Sequence, residues 1–92
     1  MSSQKLKLSL FVSSTNAGKA LSRLYKVLEF HAYTDYELSL VDVLEQPIYA
    51  QSLGITQTPT LIMHTQDGDI RLTDDMSDVA RVRDTFGFKF ED

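Results

Sequence analysis

The chain has 92 residues, 42% hydrophobic and 24% charged, the balance of one small folded domain rather than of a disordered segment. It has no cysteine, which excludes a disulfide, a thiolate nucleophile and a CxxC redox pair. The net charge of −4 arises in residues 66–92, which hold eight acids against four bases, so the net basic face expected of a nucleic-acid or anionic-membrane binder is missing. In chain order, Leu6, Leu8, Leu10 and Val12 alternate with Lys7, Ser9 and Phe11 and predict a first strand, with Phe11 making its second face partly apolar. Ser13, Ser14, Thr15 and Asn16 follow as a polar turn that offers helix caps. Ala17, Ala20, Leu21, Leu24, Val27 and Leu28 then form one apolar stripe of a helix expected to run to about Ala32. Glu37 to Val43 predicts a second strand, and strand, helix and strand together predict a right-handed unit with parallel strands.

Pro47 suits the first turn of a short helix through Ile48, Tyr49, Gln51, Ser52 and Leu53, stopped by Gly54 as a left-handed cap. Thr60–Met63 is strand-like, Gln66-Asp67-Gly68-Asp69 predicts a hairpin turn, and Ile70-Arg71-Leu72 the return strand. Asp75-Met76-Ser77-Asp78 opens a last helix with Val79, Val82, Arg83 and Phe86 at helical spacing before Gly87. The order β-α-β-α-β-β-α, with no internal repeat or linker, predicts a single α/β domain over residues 1–92. It packs most economically as a mixed four-stranded sheet with helices on both faces, the thioredoxin-like architecture. Thr58-Pro59 stands where that fold carries its cis-proline. No apolar run approaches the ~18 residues of a bilayer span. MSSQKLKLSLFVSS also lacks a secretory signal's long apolar stretch, so a cytoplasmic location is expected.

The strand start LSLFVS, the run Val41-Asp42-Val43-Leu44-Glu45-Gln46-Pro47, its spacing to Thr58-Pro59-Thr60-Leu61, and Asp75-Met76-Ser77-Asp78 resemble the KaiB family. The resemblance spans about residues 6–85 and extends to the similar N-terminal domain of the clock-associated histidine kinase SasA. It implies a non-enzymatic protein that docks on a RecA-like ATPase ring of the KaiC kind and modulates clock-like or stress signalling. It also implies an ability to switch between a tetrameric ground fold and a monomeric thioredoxin-like fold. Three positions depart from the family pattern. A Pro-rich stretch is replaced by His64-Thr65-Gln66-Asp67-Gly68-Asp69, a family glycine by Asp74, and a frequent basic residue by Gly54. The first two favour a permanently thioredoxin-like, largely monomeric state over a switching one, with a tetramer as the expected state if the chain does switch.

Candidate functional residues divide by chemistry. Lys19, Arg23 and Lys26 form a basic stripe at i, i+4 and i+7 that reads either as a solvated face or as a surface for an acidic partner. Lys19 matches a position that is basic in KaiB-like proteins. Ile48, Tyr49 and Gln51 surround the second helix, where four-residue spacing favours core over interface. Lys19, Arg23, Tyr49, Gln51 and Gly54 are the candidate partner-binding set, with Thr58 and Pro59 structural. Ser14 or Thr15 could serve a glutathione-type enzyme, but helix capping accounts for both. His31 and His64 lack further ligands at metal spacing, so neither a metal nor a cofactor is expected. A sensor or adaptor domain of a histidine kinase pathway is the alternative to the ATPase-docking protein.

Overall fold

Leu6–Val12 forms β1, and its alternation divides the molecule into two layers. The computed structural model describes residues 6–14, 17–30 and 36–87. Leu8, Leu10 and Val12 point to one face of the sheet, where they are buried with Ala20, Leu24, Val27 and Leu28 of α1 (Ala17–Phe30). Phe11, on the opposite face, is fully buried with Val41, Ala50 and Ile62. β2 (Tyr36–Asp42) pairs parallel with β1, in register Leu10 to Leu40. The short helix α2 (Pro47–Ser52) leads to β3 (Thr60–Thr65) and β4 (Gly68–Thr73), and α3 (Val79–Phe86) closes the domain. The sheet order is β2-β1-β3-β4, with β3 antiparallel to both β1 and β4. The mixed four-stranded sheet and the β-α-β-α-β-β-α order follow the sequence expectation, and the Thr58–Pro59 peptide is cis.

The differences are local. α1 is helical to Phe30, and the expected extension to Ala32 falls outside the described residues. β2 starts one residue early, where Tyr36 pairs with Leu6, and stops one residue early, where the Asp42 carboxylate accepts the Leu44 N–H at 2.8 Å and turns the chain. Leu40, expected on an apolar face, is 48% exposed, because among the described residues β2 is an edge strand with no neighbour on its outer side. In the β3–β4 hairpin the positive φ falls on Gly68 alone, at +125°, rather than on both central residues as in a type I′ turn.

Asp74 and Asp75 do not act on the dipole of α3, which begins only at Val79. They fold the approach to it: Asp74 accepts the Met76 N–H at 3.0 Å and Asp75 the Ser77 N–H at 3.0 Å. Met76 follows them at φ +68° and is 1% exposed, a left-handed residue whose side chain anchors the loop in the larger core. The Ser77 hydroxyl and backbone N–H hold the Asp75 carboxyl below its ordinary value of 3.8. The stabilisation Asp75 gives is therefore present above that value and is lost as pH falls through the lowered one.

Asp78 is the true cap of α3, accepting the Arg81 N–H at 3.1 Å. Asp78→Ala is expected to lower stability by about 1 kcal/mol, read as a shifted urea midpoint at constant m-value.

Candidate docking surface

α2 is too short to bury a helical stripe. Pro47 supplies its first turn, and Ala50 alone is fully seated, against Phe11, Val41 and Ile62. Leu53 and Ile55 complete that contact from beyond the helix. The expected core placement of Ile48, Tyr49 and Gln51 is therefore corrected: Ile48 is 79% exposed, Tyr49 44%, and Gln51 is exposed. Fewer than two turns present only one residue squarely to the sheet, so spacing that marks a core in a long helix marks a surface here. With Leu44 at 69% exposure in the preceding turn, Ile48 and Tyr49 form an apolar patch. The Tyr49 ring leans on Phe11, centroids 5.8 Å apart, which fixes its orientation from below.

The far end of α2 is locked. Ile55 N–H donates to Ala50 O and Gly54 N–H to Gln51 O, both at 3.0 Å, the paired bonds of a Schellman cap. Gly54 takes φ +71° in that cap, a conformation that disfavours side chains. Arg71 on β4 donates from Nη2 to Leu53 O at 2.6 Å, setting a cation at the carboxyl end of the helix.

The basic stripe lies on α1, across the sheet from α2, and its members have separate tasks. Arg23 donates to Asp75 O at 3.1 Å and pairs with the Asp75 carboxylate at 3.5 Å, tying α1 to the loop before α3. Lys19 is exposed in the first turn of α1, where no ion pair reaches it among the described residues. That turn follows the carboxyl end of β1, the same end of the parallel pair at which β2 leads into α2.

Sequence reasoning missed a polar relay on the α2 face of the sheet. Ser9 Oγ lies 2.9 Å from His64 Nε2, and His64 Nδ1 lies 3.2 Å from Asp69. Asp69 can only accept, so Nδ1 carries a proton, and in that tautomer of the imidazole Nε2 is the acceptor for the Ser9 hydroxyl. The order matches a nucleophile–base–acid series. However, Ser9 is 6% exposed in a central strand, with its neighbours' backbone N–H groups committed to β2 and β3. Among the described residues neither substrate access nor an oxyanion site is found beside it, and the relay satisfies a buried hydroxyl. The signal was the alternation itself, which places Ser9 and His64 on one face of adjacent strands. Ser14 is exposed and does not line the open depression of about 420 Å³ formed by Gln57, Thr58, Pro59, Thr73, Asp74 and Asp75. Thr15 and His31 lie outside the described residues. No described helix is long and apolar enough to cross a membrane.

The model of the KaiB domain family matches residues 9–78. The circadian clock protein KaiB3 of Synechocystis sp. is 31% identical over 77 residues, 84% of this chain and 76% of that protein. The circadian clock oscillator protein KaiB of Synechococcus sp. is 36% identical over 77 residues, 84% of this chain and 70% of its own. The chain belongs to the KaiB family. Its fold superposes on the N-terminal domain of Synechococcus elongatus SasA with a TM-score of 0.74 at 20% identity, covering 100% of this chain and 92% of that one. Thioredoxin 1 of Thermosipho africanus gives 0.68 at 20% identity, covering 88% and 90%. Among the departures of this KaiB-family chain, the hairpin and Asp74 both build the thioredoxin-like arrangement directly. Asp74 supports the Met76 turn and approaches Arg81 at 3.6 Å. The third departure is offset in space, because a Cβ on Gly54 would lie 3.9 Å from Arg71 Nη1. A guanidinium from β4 thus stands beside the position whose basic side chain is missing.

Proposed function

We propose that this KaiB-family protein is a non-enzymatic docking module for a ring ATPase of the KaiC kind, acting in clock-like signalling. The observation that carries this is the Leu44–Ile48–Tyr49 patch on a helix held by Phe11 below and by Gly54 and Arg71 at its end. An apolar patch on a fastened element loses little conformational entropy on binding and stays available to a partner. Tyr49 is the aromatic anchor, Gln51 a polar contact beside it, and Arg71 supplies the charge that Gly54 does not. Lys19 steers an acidic surface of the partner toward the end of the sheet where α2 begins. Arg23 acts as a positioning residue through Asp75 rather than as a contact.

Size-exclusion chromatography of the protein mixed with a purified KaiC-like ATPase, with and without nucleotide, tests this. Co-elution in the presence of nucleotide is the expected result. Separate elution at high micromolar concentration under both conditions would refute the proposal.

A further inference from the structure

We infer that the outer edge of β4 is a self-complementary interface by which two copies of this chain join their sheets. The orientation of the edge follows from one hydrogen bond. Asp74 N–H donates to Pro59 O at 3.1 Å, one step beyond the Thr60–Thr73 pair of the β3–β4 ladder. Antiparallel ladders alternate, so Ile70 and Leu72 direct their backbone groups toward β3. Asp69, Arg71 and Thr73 direct theirs to the other side, where β4 ends the sheet among the described residues. Such an edge is a template for another strand.

Charge selects the register. A two-fold axis at residue 69 would oppose Asp69 to Asp69, and one at residue 71 would oppose Arg71 to Arg71. An axis at Ile70 sets Asp69 of each copy against Arg71 of the other, twice, in positions that exchange both backbone hydrogen bonds. Ile70 then faces Ile70 at the non-hydrogen-bonded position, where opposed side chains approach most closely. Ile70 is 37% exposed, so the helices leave it room for that contact. Both charged side chains keep capacity for it. Arg71 spends one donor on Leu53 O and Asp69 one oxygen on His64, among the described residues. The opposite edge has no such solution, since the charged residues of β2, Glu37 and Asp42, are both acidic. The result is a continuous eight-stranded sheet with β2 at both ends, an isologous dimer in place of the monomer expected from the sequence.

Sedimentation over a concentration series tests the interface. The native chain is expected to show a reversible monomer–dimer equilibrium. Asp69→Arg or Arg71→Asp alone should weaken it by on the order of tenfold or more, because two attractive pairs become repulsive together. The double exchange should restore it, although both intramolecular contacts remain broken. The absence of native cysteine allows a second readout. Ile70→Cys should oxidise to a covalent dimer much faster than Ile48→Cys, whose site is more exposed. A native chain that stays monomeric throughout, equal cross-linking at the two sites, or a dimer indifferent to both charge reversals and lost with Leu40→Lys would overturn the inference.

Discussion

Phe11→Ala is expected to remove about 3–5 kcal/mol of folding stability and to loosen α2 with it. Phe11 is fully buried, and its cluster holds only three other buried residues, Val41, Ala50 and Ile62. Two of those are fixed in the sheet, so the site has little freedom to collapse around the cavity. A domain of this size has a total stability of roughly 5–14 kcal/mol, and the loss is a large share of it. The ring also carries Tyr49, so the docking helix loses its support when Phe11 is truncated. Leu10→Ala, in the larger core on the other face, serves as the comparison: it should cost about 2–5 kcal/mol without disturbing α2. Urea unfolding gives both stabilities, and amide exchange across residues 47–53 separates the two variants. Equal protection of that segment in both would show that Phe11 does not hold the helix.

One set of amide resonances is expected from the native protein, with no second fold in slow exchange. Two folds coexist only when their packings differ by a few kcal/mol, and here local and tertiary signals agree on one. The Asp67–Gly68 turn closes β3 on β4, Asp74 and Asp75 fold the loop around Met76, and Asp78 caps α3. Met76 ties these local devices to the core, since its left-handed backbone is tolerated only while its side chain stays buried with Val82 and Phe86. An alternative fold would forfeit that whole series together. A symmetric dimer through β4 leaves the single set intact, because its two copies are equivalent. A second set of slowly exchanging amide signals from residues 60–86 would contradict this expectation.

The strands and long helices were legible because a face that packs against a core must be apolar at the element's own period: two for Leu8, Leu10 and Val12, near four for Ala20, Leu24, Val27 and Leu28. The motif from Val41 to Pro47 also carried the family. What failed to show was set by length and by neighbours in space. Six residues of α2 do not establish a period, so Ile48 and Tyr49 read as core while Ala50 took the buried seat. Leu40 alternates correctly, yet lies on an edge that its own pattern cannot announce. Arg23 looked like its neighbour Lys19 because its partner Asp75 is 52 residues away. Pairing through the fold rather than along the chain also hid Arg71 beside Gly54, and the Ser9–His64–Asp69 relay, which exists only once three strands are in register.

The most direct test of the docking proposal is a binding titration of native protein and the Ile48→Glu variant against a KaiC-like ATPase with nucleotide bound. Ile48 is the most exposed large apolar side chain described, so the change should leave the urea midpoint almost unmoved. Placing a carboxylate in the centre of the apolar patch should weaken binding by on the order of 30-fold or more, about 2 kcal/mol. Native affinity retained by the folded variant would contradict the assignment of α2 as the docking surface.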